Sequence, residues 1–264
     1  MTHDFDALFA VAHQLADAAA EAILPHFRQA SLDTTTKSDA EYDPVTVADR
    51  ASELAMRAIL AQERPDDSIL GEEFEPVTGT TGLTWVLDPI DGTRGFVSGT
   101  PTWGVLISCA DNSGPIMGMI AQPYIGERFV GGGGQSYVRG PLGEHALKTR
   151  APRALAEATV LTTFPEVGTA QERAGFEAVA QNTRLVRYGM DCYGYALLAA
   201  GQVDLVIEAG LQPYDIQAPI AVVEAAGGIV TDWNGAPAHN GGRALAAANT
   251  EIHRDALAIL KGFT

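Results

Sequence analysis

The chain has 264 residues, 46% of them apolar, and a formal charge of −16 from 33 acidic against 17 basic residues. That size and apolar content suit one large domain, or two intimate subdomains, without disulfides or metals as staples. The acidic balance argues against sequence-independent binding to a nucleic-acid backbone, yet leaves room for an anionic small substrate, because divalent cations invert the charge of an acidic cleft.

Along the chain, Phe5, Leu8, Ala12, Leu15, Ala19 and Ile23 fall at helical spacing, and a helix over about 4–29 is expected to end or bend at Pro25. The polar stretch SLDTTTKSDAEYDP reads as extended or loop. Thr46 and Asp49 stand at N-cap and N3 spacing, predicting a helix that stops at Pro65. SILGEE, LTWVLD, TWGVLISCA, PIMGMIAQPY and ERFVGG then read as strands, with Gly131–Gly134 a flexible turn. The second half alternates. ATVLTTF, TRLVRY, VDLVIEA, GGIVTDW and RALAAAN are strands; 171–181, 193–200, 214–226 and 251–261 are helices; Asn234-Gly235 is a tight turn. Helices layered on sheets follow, an α/β fold in one unit over 1–264, softly divided into subdomains of about 1–145 and 146–264.

Cys109 and Cys192 lie outside any CxxC, so both read as reduced core cysteines. No leader pattern is visible, and the longest apolar runs read as too short to span a bilayer. A cytoplasmic protein with neither a membrane nor a nucleic-acid partner is expected.

The segment WVLDPIDGTRGF runs three apolar residues into two carboxylates and a hydroxyl. Pro89 pushes Asp88 towards an extended conformation, and Gly92 permits close backbone approach. With the Ile90 carbonyl between them, Asp88 and Asp91 can present oxygens to one hard cation; an Asx-type turn explains the segment equally well. Three more acids at element termini shift the balance to a shared metal site. Glu72 lies in Gly71-Glu72-Glu73 after a strand, Asp215 at a helix start, and Asp49 in a capping box.

DPVTVADR, ILGEE, WVLDPIDGT and YDIQAPIAVVEAAGG together resemble the signature blocks of the inositol monophosphatase superfamily, in order and over nearly the whole chain. One departure is Tyr214-Asp215, where those blocks usually read Trp-Asp. The resemblance implies metal-dependent phosphomonoesterases whose fold alternates layers of helices and sheets, and a homodimer. It implies that Glu72, Asp88 and the Ile90 carbonyl hold one Mg²⁺, and that Asp88, Asp91 and Asp215 hold a second. A third would sit near Glu72. The catalytic set would be Asp49, Thr93 and Glu72, with Thr93, supported by Asp49, orienting and helping to deprotonate the attacking water. Backbone N–H groups near Gly92 and Thr93 would receive the phosphate.

Other hydrolase designs lack their parts. DPID is not the DxD of aspartyl-phosphate enzymes, no P-loop is present, and six scattered histidines contain no HExxH. The run GMDCYGYALLAAGQVDLVIEAGLQPYD, with GTPTWGVLISC and AQPYIGERF, resembles the histidinol-phosphate phosphatase branch. Asp191 would then read, with Glu208, the amine and imidazole end of a small phosphorylated cationic alcohol; a helix cap is the plainer reading of Asp191. Arg94 and Arg187 are further candidates for substrate contact, against a plain surface role. An inositol-1-phosphate-type or broad sugar- or nucleotide-phosphate esterase, and an inactive scaffold of the same fold, are the competing readings.

Overall fold

The computed structural model describes residues 3–29, 34–36 and 44–264. Part of the polar stretch, residues 31–33 and 37–43, lies outside the described residues. Its remainder forms two short antiparallel strands, β1 (Thr34–Thr36) and β2 (Pro44–Thr46).

Two helices open the chain. The first, α1 (Phe5–Ile23), is followed by a 3₁₀ turn around Pro25, where a proline ends regular helix. The second, α2 (Val47–Glu63), carries the expected capping box: the Asp49 carboxylate accepts the Thr46 N–H at 2.8 Å and the Thr46 hydroxyl at 2.7 Å. One expectation needs correcting. Residues 5–26 form a 22-residue helical run that is, by length and composition alone, apolar enough to cross a membrane. Its face bearing Leu8, Phe9, Ala12, Leu15, Ala19 and Ile23 is buried in the core, and Asp6, Asp17 and Glu21 lie off that face. It is built as a core helix.

Seven strands then make one sheet in chain order: β3 (Ser68–Gly71), β4 (Thr84–Asp91), β5 (Gly104–Asp111), β6 (Gly114–Gln122), β7 (Glu127–Gly132), β8 (Gln135–Gly140) and β9 (Gly143–Ala146). Between β4 and β5 lies a short helix, α3 (Thr93–Ser98). A second sheet of five strands has the order β11 (Leu185–Tyr188), β10 (Thr159–Thr162), β12 (Leu205–Leu211), β14 (Gly242–Ala247), β13 (Ile229–Thr231). Its helices are α4 (Ala170–Ala180), α5 (Asp191–Ala199), α6 (Pro213–Ala225) and α7 (Thr250–Leu260).

Strand alternation sorts the side chains into three cores. Trp85, Leu87, Val105, Ile107 and Met119 face α1 and α2. Leu106, Ile120 and Phe129, from the other face, meet α5, α6 and the inner face of the second sheet, Val206, Ala244 and Ala246. Val160, Leu205, Ile207 and Leu245 face α4 and α7. The result is five layers, helix–sheet–helix–sheet–helix, as the α/β sandwich reading expects. Helix α6 lies very close to the first sheet: a Cβ at Gly118 would stand 2.6 Å from the Ala218 carbonyl oxygen.

Candidate metal centre

Strand β4 does not stop at Asp88, as the sequence suggested, but continues to Asp91 across an irregularity. Asp88 pairs with Leu106 and Asp91 with Gly104, two residues apart on β5 but three on β4. Pro89 has no N–H for the ladder, and a bulge of this kind re-aims side chains. Helix α3 follows from Gly92, whose φ of 85° favours glycine. Glu72 comes from the end of β3, and Asp215 is the third residue of α6.

These elements bring Asp88, Asp91 and Asp215 together: one carboxylate oxygen from each lies within 4.8 Å of the others. Glu72 stands beside them and acts on Asp88. Burial first, then repulsion from Glu72, Asp91 and Asp215, holds the Asp88 carboxyl well above the usual carboxylate range. Burial, then Asp191 and Asp215, does the same to Asp91. Clustered, desolvated acids demand positive charge, and all-oxygen donors suit a hard divalent ion such as Mg²⁺. The donor set fits that ion.

The plainer structural roles foreseen for most of these acids are also real, and they serve the site. Asp88 Oδ1 accepts the Ile90 N–H at 3.0 Å, an Asx-type contact. Asp215 Oδ2 accepts the Gln212 N–H at 2.7 Å in a capping box. Asp91 Oδ2 accepts the Cys192 N–H at 2.6 Å, from a residue 101 positions away. Each carboxylate has one oxygen fixed to backbone, which orients it before any ligand arrives.

Glu72 is framed by a residue that sequence reading passed over. Glu53, on α2 and fully buried, accepts from Arg57 Nε at 2.8 Å and from the Glu73 N–H at 2.7 Å. It fills the space beside Gly71, where a Cβ would collide with Glu53 Oε1. Glu53→Gln is expected to weaken Mg²⁺ binding roughly tenfold in isothermal titration, the scale of outer-shell changes, because the Glu72 turn loses its anchor.

Thr93 donates its hydroxyl hydrogen to the Ile90 carbonyl at 3.1 Å, and Asp49, buried, gives Oδ2 to Thr46. Among the described residues no hydrogen bond joins Thr93 to Asp49; β2, which holds Thr46, packs against α3. Burial, ahead of the opposing Thr46 bonds, raises the Asp49 carboxyl above its ordinary range.

A second pair of acids adjoins the first. Asp191 does not cap α5: it is the helix's first residue, at φ 45°, a strained position for a non-glycine residue. Its carboxylate accepts from the Thr102 hydroxyl at 3.2 Å and lies against Gly92, where a Cβ would meet Asp191 Cγ at 2.6 Å. Gly92→Ala combines that clash with an unfavourable φ and is expected to cost about 1–3 kcal/mol in urea unfolding. Burial, opposed by Thr102 and Arg94, pushes Asp191 up to about 6. Glu208, buried on β12, accepts from the Thr163 N–H at 2.8 Å and hydroxyl at 2.9 Å, and from the Thr162 hydroxyl at 3.3 Å. Burial, despite those bonds and with help from Asp191, pushes it up to about 7. Arg94 stacks over Phe164 at 4.5 Å and acts on Asp191. Arg187 lies exposed on the edge strand β11 and, among the described residues, makes no hydrogen bond or ion pair to these acids. Thr102, Thr162 and Thr163 carried no local motif that sequence reading could have used.

Known proteins share this arrangement of elements. The model of the inositol monophosphatase family matches residues 4–261. A bifunctional phosphatase IMPL2 from Arabidopsis thaliana is 38% identical over 98% of this chain and 76% of its own length. A histidinol-phosphatase from Streptomyces coelicolor is 35% identical over 95% of both chains. The solved structure of an inositol monophosphatase from Zymomonas mobilis superposes with a TM-score of 0.86 at 38% identity, covering 98% of this chain and 100% of that one.

Proposed function

Because the chain belongs to the inositol monophosphatase family, and so is a phosphoric monoester hydrolase by descent, we propose that it is a Mg²⁺-dependent enzyme that hydrolyses L-histidinol phosphate to L-histidinol and phosphate. The observation that carries the choice of ester is the second acid pair: Asp191 and Glu208 stand next to the Asp88–Asp91–Asp215 cluster, where Asp191 acts on both Asp91 and Glu208. A wall of carboxylates beside a phosphate site suits a leaving alcohol that carries an ammonium and an imidazole. A histidinol-phosphatase relative at 35% identity supports the same reading.

Glu72, Asp88, Asp91, Asp215 and the Ile90 carbonyl would hold two or three Mg²⁺. When bound, these ions neutralise phosphoryl charge and acidify water near neutral pH. The protein does the rest by placement. Gly92 and Thr93 turn their backbone N–H groups towards the phosphate, as nests do. Thr93, its own hydrogen committed to Ile90, offers lone pairs to the attacking water and orients it. Asp49, buried close to α2's start, supports that end of the site as a proton acceptor. Asp191 and Glu208 bind the cationic end of the alcohol, with Arg94, stacked on Phe164, acting on Asp191.

A panel of phosphate esters at equal Mg²⁺ tests this. Preference for histidinol phosphate is the expected result. Preference for inositol 1-phosphate would favour the second reading, which the Zymomonas mobilis neighbour supports. No Mg²⁺-dependent phosphate release from any ester would make the chain a binding scaffold.

A further inference from the structure

Helix α5 carries Asp191 and Tyr195 one turn apart, on the same face. The Tyr195 ring is 3% exposed and packs in the central core between the two sheets. Its hydroxyl is buried and has no hydrogen-bond partner among the described residues. That is unusual, since buried phenols nearly always find one. Other tyrosines of this molecule do: Tyr193 donates to Glu127 at 2.6 Å, and the Tyr137 hydroxyl meets His13 at 3.0 Å. Phenylalanine would serve the packing equally well, so the oxygen at 195 needs its own explanation. Its surroundings supply one. The ring shares its core with Cys192, with Ile216 next to Asp215, and with Val206, which lies two positions before Glu208 on the same face of β12. Cys192 is the residue whose N–H fixes Asp91. The phenol therefore belongs to the core layer in which α5 packs against the elements that carry Asp215 and Glu208.

We propose that Tyr195 is a positioning residue of the loaded site, its hydroxyl donating to the carboxylates above it, directly or through one buried water, and so tying Asp91 and Asp215 to Glu208. The proposal rests on the metal-site reading above. It adds a residue that contacts neither phosphate nor solvent and acts only through those acids. A donor at this point fixes their orientation and limits their movement when cation and substrate arrive together.

Tyr195→Phe removes one oxygen and keeps the ring. Titration calorimetry of the full chain with Mg²⁺ alone is the test, alongside melting in EDTA. The expected result is roughly a tenfold weaker Mg²⁺ Kd, with the melting temperature in EDTA unchanged or slightly higher. An Mg²⁺ Kd within twofold of the parent protein overturns the proposal. So does a fall of the EDTA melting temperature at unchanged Mg²⁺ affinity, which marks Tyr195 as a packing residue. If the parent protein takes up no Mg²⁺, the metal reading itself falls, and this is visible before any variant is compared.

Discussion

Asp88→Asn should abolish Mg²⁺-dependent phosphate release, lowering kcat by about three orders of magnitude or more, while making the metal-free protein more stable. Both effects come from one geometry. Asp88 is the buried member of the cluster, with Glu72, Asp91 and Asp215 acting on it, and under the proposed function it would be the carboxylate shared between two ions. Loss of metal-derived charge stabilisation is worth several kcal/mol, and each 1.36 kcal/mol is about tenfold in rate. Without metal, the same carboxylate is a desolvated charge among like charges. The amide keeps the size and the oxygen that accepts from Ile90 while removing the repulsion.

The sign of the pH dependence follows. Carboxyls whose folded values are raised bind more protons in the native than in the unfolded chain between the two values. Their destabilising effect is therefore full above the folded value and is relieved as pH falls through it, at about 7 for Glu208 and about 6 for Asp191. In EDTA, the melting temperature of the parent protein should rise as pH is lowered from 8 towards 5.5, and Asp88→Asn should start higher and rise less. Saturating Mg²⁺ should flatten the parent's curve. A parent protein that is less stable in EDTA at pH 5.5 than at pH 8 would contradict the crowded-acid reading.

The acids that cluster were legible because their local motifs are dense: carboxylates at element ends, pinned by Pro89, Gly92 or Pro213, stand out against ordinary turns. What holds them is not local. The Asp91–Cys192 bond joins β4 to α5 across 101 positions, and no pattern within either segment announces it. Helix α3 was missed for a related reason. It has six residues between two left-handed glycines, Gly92 and Gly99, too few to show a helical period. Strands β8 and β9 escaped because QSYVRG and GEHA are half-buried or exposed at the sheet's far edge, where alternation carries little apolar signal. The positive φ of Asp191 breaks a conformational preference rather than following one, so the sequence pointed to a cap. Helices with strong caps were easier: Thr46 with Asp49 fixed the start of α2 from spacing alone.

Replacing the second acid pair should change which ester is cleaved without stopping cleavage. Asp191→Asn and Glu208→Gln keep shape and most hydrogen bonds but remove the charges that face a cationic alcohol. In each variant the side-chain amide retains an acceptor oxygen. Thr163 donates twice to one oxygen of Glu208 and can still donate to the amide oxygen, while the new N–H₂ faces the Thr162 hydroxyl, which can turn to accept; Thr102 can still donate at position 191, so the fold should stand. A hydrogen bond to a charged partner contributes about 1.5–3 kcal/mol, so each change should lower kcat/KM for histidinol phosphate by roughly 10- to 150-fold. An ester with an uncharged alcohol, such as inositol 1-phosphate, gains nothing from that charge, and its kcat/KM should move by less than about threefold, the scale left when a surface-type interaction changes. The two acids act on each other, Asp191 raising Glu208, so the double variant should lose less than the product of the single losses. Measuring both esters in all three variants separates a specificity role from damage to the metal cluster, since damage to Asp91 or its neighbours lowers turnover of every ester alike. Unchanged histidinol phosphate turnover in the double variant would leave Asp191 and Glu208 as structural acids and remove the reason to favour a cationic substrate.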